Sequence, residues 1–312
     1  MDINTLLKKV YDSTKNNKQG KVASYIPELK KVDSTIYGIT IMDCVTGKLY
    51  SIGNYNTKVA LESVSKLFTL AMAVEKFGIN IIIKKIGIDV SPFKFNSVIA
   101  EELSKNHTIN PFVNQGAIAT TSLFYNKNLR KFKKIIIDNI RSYAGVRLKV
   151  GKSILHSEST HNFTNLALAY LLKSHNRFYG DDIPKTVNVY TKQCSLLVSS
   201  QDLATMGSVF ANKGVHVKTN KQFIKPKNVN FILNILKNEG LYEYSESWVV
   251  QTDGRAAAKS GVGGCLLIII PELMFSIGIV SPKLDSTGNS VRGIKAGVKL
   301  VKLLYKYRSQ LR

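Results

Sequence analysis

Strand-forming segments lie near both ends of this 312-residue chain, and helical patterns fill most of the region between them. Residues 37–52 contain two apolar runs joined by a Thr-Gly turn, which predicts a β-hairpin. Residues 265–270 and 274–280 form a second pair of runs, separated by a Pro-Glu turn. Both chain ends are therefore expected to contribute antiparallel strands.

Apolar residues recur at helical spacing from Val64 to Val74, and Gly78 follows as the expected C-terminal cap. The last predicted helix, around Ile294 to Leu304, has one apolar face that suits the cover of a sheet. Further helices are predicted over residues 163–174, 202–212 and 228–238.

The simplest architecture is one unit, residues 1–312, made of two lobes. An α/β lobe would combine about 1–90 and 245–312, and a helical lobe of about 91–244 would be inserted between them. The predicted fold class is α/β, of the α+β type, with an antiparallel sheet flanked by helices.

Composition limits the classes of function. A hydrophobic fraction of 44% is typical of a folded globular protein. Residues 1–9 contain no apolar stretch of signal-peptide length, and no apolar run approaches membrane-spanning length, so we expect a cytoplasmic location and no membrane partner.

The net charge of +23, from 44 basic and 21 acidic residues, raises the question of nucleic-acid binding. The lysines, however, are spread along the whole chain. Local clusters such as residues 126–134 and 213–227 lack a nucleic-acid module with its stacking aromatic residues. A solvated, lysine-rich surface is the favoured interpretation, and no specific nucleic-acid partner is expected.

The three cysteines are widely spaced and form no C-x-x-C pair, which favours buried thiols over disulfides or zinc ligands. The five histidines include no pair at metal-binding helical spacing. We therefore expect no catalytic metal.

Two distant segments together indicate serine-dependent acyl transfer. Ser63 and Lys66 place a hydroxyl and an amine one helical turn apart, at the predicted start of a helix. Residues 259–264, Lys-Ser-Gly-Val-Gly-Gly, precede a predicted strand and offer a second lysine and backbone N–H groups for an oxyanion. A lysine acts as a base only when its pKa is lowered by burial or by another cation, and Lys66 and Lys259 are expected to perturb each other.

Other polar residues suit the binding of a small charged molecule. Asn114, in the apolar loop 110–119, is placed to donate to a carboxylate or carbonyl, although it equally suits a turn that satisfies its own backbone. Glu158 and Asn165, seven residues apart, are expected at the start of one helix and one turn inside it; Glu158 would hold an ammonium group or serve as an N-terminal helix charge. Tyr190 and Tyr242 are expected to be partly buried, with their hydroxyl groups in contact with water.

Ordered sequence blocks along nearly the whole chain resemble the serine-dependent glutaminases of β-lactamase fold, which hydrolyse the side-chain amide of L-glutamine. Residues 20–29 resemble the family's G-x-V-A-x-Y-I-P-x-L, residues 62–68 its Q-S-x-S-K-x-F, and residues 110–119 its N-P-x-x-N-x-G-A-I-A. Further matching blocks are Ser157-Glu158 with Asn165, Tyr190 with residues 193–195, residues 240–242, 259–264, 281–285 and 288–290.

The resemblance implies a role for each matching residue. Ser63 would be the nucleophile and Lys66 its base, with Tyr242 a partner in proton transfer, and the backbone N–H groups of Ser63 and Val262 would bind the oxyanion. Glu158 would bind the substrate's α-ammonium group. The remaining substrate-binding residues would be Tyr25, Asn114, Asn165 and Tyr190. A glutamyl-enzyme would form on Ser63 and be hydrolysed by water without a cofactor, and a homodimer or homotetramer is expected.

Three positions depart from the family's pattern. Glu62 stands where glutamine is usual, and its charge beside Ser63 is expected to raise the pKa of Lys66 and slow the reaction. Gln115 replaces a small residue and Cys265 a glycine, which affects rate and pocket shape. Two alternatives stay open: another amide substrate on the same fold, as in a β-lactamase or peptidase, and a low-activity protein that binds through its basic surface.

Overall fold

The computed structural model describes residues 1–311, in which strands from the two chain ends meet in one five-stranded sheet. Two further strands, each of two residues, pair separately. The strands are β1 Gly38–Asp43, β2 Leu49–Gly53, β3 Val59–Ala60, β4 Leu197–Val198, β5 Ala257–Gly261, β6 Cys265–Ile270 and β7 Phe275–Val280.

The sheet order is β2-β1-β7-β6-β5, and every neighbouring pair is antiparallel. Both predicted hairpins are confirmed, and they join where β1 pairs with β7, with Gly38 opposite Val280. Residues 259–264 were expected to precede a strand. They do run into β6, which begins at Cys265, but Lys259 to Gly261 are also the end of β5, a strand that was not predicted.

Fourteen helices account for most of the remaining described residues. They are α1 Ile3–Thr14, α2 Pro27–Lys30, α3 Ser65–Phe77, α4 Ile79–Lys85, α5 Val98–Leu103, α6 Asn114–Ser122, α7 Leu129–Ala144, α8 Lys152–Thr160, α9 Phe163–Ser174, α10 Ile183–Cys194, α11 Ser200–Ala211, α12 Pro226–Glu239, α13 Ser245–Gln251 and α14 Val291–Lys306. Short 3-10 turns cover Glu62–Val64, Tyr242–Tyr244 and Arg308–Gln310.

Both faces of the sheet are covered, which explains why β6 is apolar at every position. Alternate side chains of a strand point to opposite faces. Ile39 and Ile41 of β1 lie in one apolar cluster with residues of α1 and α14, and Met42 lies in the other with residues of α11. Gly278 lets α11 approach closely, because a Cβ there would lie 2.1 Å from the backbone oxygen of Ser200.

The helix predicted from Val64 to a cap at Gly78 is confirmed as α3, and most of its residues are buried. The predictions for α9, α11, α12 and α14 are confirmed as well. α11 begins two residues before its predicted start because Ser199 and Asp202 form a capping box around its first turn.

In residues 1–311, no helix is both long and apolar enough to cross a bilayer. The division into an α/β lobe and a helical lobe remains a prediction. α11, from the middle of the chain, packs directly on the sheet formed by the chain ends.

Candidate active site

Ser63 lies in the 3-10 turn that leads into α3, and the edge strand β5 presses against this turn. Glu62 just before it has φ = 49°, a left-handed conformation that is uncommon for a residue with a side chain. A Cβ on Gly261 of β5 would lie 2.6 Å from the backbone oxygen of Leu61. The glycine therefore allows the contact that places Ser63 at a cavity wall.

Lys66, in the first turn of α3, is 1% exposed. Its Nζ donates to the backbone oxygen of Phe112 at 2.9 Å and to Oδ1 of Asn114 at 2.7 Å. Burial lowers its pKa to about 7, and the opposing effect of Glu62 is smaller. The expected influence of Glu62 on Lys66 thus has the predicted sign but is outweighed by burial, so a neutral amine is accessible near neutral pH.

Lys259, on β5, is fully buried and contacts Tyr242. Its Nζ donates to the backbone oxygens of Gly240 at 3.1 Å and Ser260 at 2.8 Å, and lies 4.6 Å from the centre of the Tyr242 ring. Burial lowers its pKa well below the usual range, and the charge of Lys66 acts in the same direction. Lys259 thus packs against the face of the Tyr242 ring and restricts the position of that ring.

Tyr242 begins the turn 242–244 with φ = 55°, and its hydroxyl lies 3.4 Å from the backbone oxygen of Ser260. Burial raises its pKa to about 12, while hydrogen bonding to Ser63 and Ser260 acts to lower it. At neutral pH the phenol is therefore protonated, and Ser63 is one of the groups that act on its pKa. The ring of Phe95 packs 4.7 Å from it.

Asn289 ties β5 to the segment that carries Tyr242. Its Oδ1 accepts from the hydroxyl of Ser260 at 2.6 Å, and its Nδ2 donates to the backbone oxygen of Leu241 at 3.0 Å. The bonds are buried, and a buried network with all its partners present restricts the positions of its members. Asn289 was quoted in a family block but was not assigned to the site.

A cavity of about 390 Å³ opens in front of Ser63. Seven of the predicted site residues line it: Tyr25, Ser63, Asn114, Glu158, Asn165, Tyr190 and Val262. Lys66, Tyr242 and Lys259 are not among its lining residues. The cavity is small and polar enough to suit an amino acid.

Amide and phenol groups follow one another along one side of the cavity. Asn114 accepts from Lys66 through Oδ1 and donates through Nδ2 to Oδ1 of Asn165 at 3.0 Å. The hydroxyl of Tyr190 lies 3.4 Å from the same Asn114 oxygen. Asn114 thus begins α6 and contacts the site, whereas the alternative of a backbone turn applies to Asn110, which accepts from two backbone N–H groups.

The other side of the cavity is acidic. The ring of Tyr25 is 54% exposed, yet its hydroxyl donates to Oε1 of Glu158 at 2.5 Å and lies 3.4 Å from Oε2 of Glu62. Burial raises the pKa of Glu158, although the Tyr25 hydrogen bond and the charge of His161 act to lower it. An ammonium group is the natural partner for this side.

The predicted placement of Glu158 and Asn165 on one helix is wrong. Glu158 lies near the end of α8, and Asn165 lies in the first turn of α9. The chain changes direction at His161 and Asn162, and this bend brings both side chains to the same cavity. Glu158 is therefore not an N-terminal helix charge.

The structure also brings residues to the cavity that the sequence interpretation did not assign. They are Glu62, Phe95, Asn96, His161, Asn162, Thr164, Thr191 and Cys194. Three of the eight, Glu62, Thr164 and Thr191, are immediate neighbours of assigned residues, whereas the other five are not. The loop with Phe95 and Asn96 had no such signal, and it is held in place by a hydrogen bond from the Asn114 N–H to the Phe95 carbonyl.

The chain is similar to known proteins in both sequence and structure. The family model named Glutaminase matches residues 20–306. The curated glutaminase of Colwellia psychrerythraea is 42% identical over 294 residues, which cover 94% of this chain and 93% of that protein. Glutaminase 1 of Escherichia coli K12 is 40% identical over 285 residues, covering 91% and 90%.

Solved structures agree with the predicted fold. The structure described as the probable glutaminase ybaS superposes with a TM-score of 0.93 at 37% identity and covers 98% of each chain. The Bacillus subtilis glutaminase YbgJ, solved as a covalent complex with 5-oxo-L-norleucine, has a TM-score of 0.82 at 23% identity, with 98% and 97% covered. The prediction of a β-lactamase-like fold, an antiparallel sheet flanked by helices, is thereby confirmed.

Proposed function

The chain belongs to the glutaminase family, and we propose that it hydrolyses L-glutamine to L-glutamate and ammonia through a glutamyl-enzyme formed on Ser63. It is a hydrolase that acts on the amide of glutamine. The observation that carries the mechanism is the position of Ser63 at a cavity wall, one helical turn before the buried amine of Lys66.

In the acylation step, the neutral amine of Lys66 accepts the proton of Ser63 while Oγ attacks the δ-carbon of glutamine. The negative charge that develops on the amide oxygen is stabilised by the backbone N–H groups of Ser63 and Val262. Ser63 also stands at the N-terminus of α3, where unpaired N–H groups favour negative charge.

The tetrahedral intermediate then loses ammonia. The leaving NH₂ group takes one proton, which Lys66 supplies directly or through Tyr242, whose high pKa keeps the phenol protonated between turnovers. Water next attacks the glutamyl ester, Lys66 accepts its proton, and the Ser63 hydroxyl is restored as glutamate leaves. Lys259 contributes by holding the Tyr242 ring.

Substrate recognition depends on the two opposite sides of the cavity. Glu158, oriented by the hydroxyl of Tyr25, binds the α-ammonium group, and the Asn114, Asn165 and Tyr190 groups bind the α-carboxylate. A molecule that lacks either charge leaves buried polar groups without partners, which costs about 1–3 kcal/mol for each group.

The proposal includes a cytoplasmic location and assembly as a homodimer or homotetramer. Assembly is tested by light scattering on the purified chain. A monomer at all concentrations would contradict the proposed homodimer or homotetramer.

The reaction is tested by measuring glutamate and ammonia release from L-glutamine, with asparagine and nitrocefin as competing substrates. Ser63→Ala is expected to abolish release, whereas Ser208→Ala is the control. Ser208 is also a buried serine, but it donates only to the backbone of its own helix and lies outside the cavity. A folded wild type without turnover would contradict the reaction, and turnover that survives in Ser63→Ala would contradict the nucleophile.

A further inference from the structure

Glu62 is a second buried carboxyl group in the cavity, and the mechanism above gives it no role. It is 4% exposed and lines the same cavity as Glu158. Its Oε1 has no hydrogen-bond partner among residues 1–311, and none of the ion pairs within 4 Å in that part of the chain includes Glu62. A buried carboxylate without a cation is strongly disfavoured.

The Tyr25 hydroxyl stands between the two carboxyl groups, 2.5 Å from Glu158 and 3.4 Å from Glu62. A phenol has one hydrogen to donate, and the shorter contact with Glu158 takes it. At 3.4 Å the phenol offers Glu62 little of that hydrogen, so Glu62 is a buried carboxyl group without a strong donor, an environment that favours its protonated form. The pair of carboxyl groups around one phenol thus holds a proton in the free protein.

The electrostatics agree with this geometry. Burial raises the pKa of Glu62 well above its usual range, and the charge of Glu158 acts in the same direction, whereas Tyr25 and Lys66 act to lower it. The titratable groups that interact with Glu62 come from every element packed around it: Tyr25, Lys66, Glu158, Tyr190, Cys194, Tyr242 and Cys265.

Lys66 does not provide the missing cation. Its Nζ is engaged by the Phe112 carbonyl and by Asn114, and burial favours its neutral form. The only positive charge that the proposed reaction brings to this side of the cavity is the α-ammonium group of the substrate.

We propose that Glu62 and Glu158 together bind the α-ammonium group of glutamine, and that binding releases the proton that Glu62 carries in the free protein. This inference rests on the proposed function. An ammonium group has three N–H donors, and the free Oε1 of Glu62 accepts one of them in addition to the bond to Glu158. The arriving positive charge stabilises the ionised carboxylate, so Glu62 becomes a specificity residue for substrates with an α-amine.

The release of a proton on binding determines how the affinity for glutamine changes with pH. Because binding releases a proton, a higher pH favours binding, and the dissociation constant falls by up to tenfold for each pH unit below the pKa of Glu62 in the free protein. If Glu62 contacted the α-carboxylate instead, it would keep its proton in the complex, so binding would release none and the affinity would not rise with pH.

The experiment is isothermal titration calorimetry of L-glutamine into the Ser63→Ala protein at about pH 6, 7 and 8. Each titration is repeated in buffers of different ionisation enthalpy, which counts the protons exchanged on binding. The comparison variant is Ser63→Ala/Glu62→Gln, whose amide has the same shape and no ionisable proton. The control is Ser63→Ala/Glu239→Gln, since Glu239 is also a buried carboxyl with a raised pKa, about 7, but lies outside the cavity.

We expect proton release in Ser63→Ala and in the Glu239→Gln control, and its loss in the Glu62→Gln variant. Glutaramate, which keeps the amide and the carboxylate but lacks the ammonium group, should release none. Binding of glutamine without release, or release that survives Glu62→Gln, overturns the inference. If the Glu62→Gln protein does not fold, the Ser63→Ala series still decides, because a dissociation constant that is constant or rises with pH contradicts it.

Failure of this inference is distinguishable from failure of the proposed function. Turnover of glutamine by the wild type, and its loss in Ser63→Ala, are measured without reference to Glu62. A protein that hydrolyses glutamine through Ser63 but exchanges no protons on binding keeps its function and loses only the two-carboxylate site.

Discussion

Replacing Lys66 with methionine should change how the stability of the protein depends on pH, and it should abolish turnover. Lys66 is buried, and its pKa falls from 10.5 to about 7 on folding. Between these values the unfolded chain carries a proton on Lys66 and the folded protein does not. Unfolding therefore takes up a proton, and the wild type becomes more stable as the pH rises.

The size of the effect follows from the same values. Each pH unit in this window adds about 1.4 kcal/mol to the free energy of unfolding, so the full window amounts to about 5 kcal/mol. Methionine also removes the donor of the Phe112 carbonyl, at a cost of about 1–3 kcal/mol, and one of the two donors of the Asn114 oxygen. That second cost does not vary with pH once the amine is neutral, so the slope, and not the absolute difference, isolates the titration of Lys66.

The assay is urea denaturation of wild type and Lys66→Met at about pH 7.5, 8.5 and 9.5. The free energy of unfolding of the wild type, minus that of the variant, should rise by about 3 kcal/mol over this range. Lys76→Met, at an exposed lysine of the same helix, is the control and should show no such trend. A constant difference for Lys66→Met would refute the argument, because it would mean that folding leaves the pKa of Lys66 unchanged.

Three further predictions concern single groups of the site and core. Tyr242→Phe should lower kcat by about 10²-fold with little change in KM, since the proposed mechanism uses the phenol in proton transfer with Ser63, and steady-state kinetics test this. Gly261→Ala should lower kcat at least about tenfold, because its Cβ would lie 2.6 Å from the Leu61 carbonyl and displace the serine turn. Gln115→Met should raise the free energy of unfolding in urea by about 1 kcal/mol, because both side-chain polar atoms of Gln115 are buried without partners in the described chain.

Four of the five sheet strands were predictable from sequence because they lie in apolar runs paired across turn residues, whereas β5 was missed because it contains Lys259, Ser260 and Gly261. The pairing of β1 with β7, which joins the two chain ends, follows from the same signal together with the need to bury both hairpins. The start of α9 at Phe163 was predicted, but the separate helix α8 before the bend at His161 and Asn162 was not. Glu158 was accordingly placed on the wrong helix although its position at the cavity was anticipated.

The role of Lys259 shows a second limit of sequence reasoning. A lysine at this position suits a catalytic base, but the sequence does not show which atoms its ammonium group contacts. In the fold it is surrounded by the Gly240 and Ser260 carbonyls and the Tyr242 ring, contacts between segments that are far apart in the chain. Sequence reasoning therefore identifies a lysine of the site, and only the packing distinguishes support from proton transfer.

The charge balance of the site explains why a zwitterion is its natural ligand. Lys66 and Glu62 are both buried, and burial shifts each of them towards its neutral form. The free cavity thus keeps its net charge low without forming an internal ion pair, which would block the amine. A neutral Lys66 is what serine activation requires, and a protonated Glu62 permits it, since an ionised Glu62 would favour the charged form of Lys66. When the substrate's ammonium group arrives, it neutralises the charge of Glu62 locally, so the carboxylate can ionise without returning a proton to Lys66. The glutamate at this position, expected from its charge to slow the reaction, is then compatible with a working base.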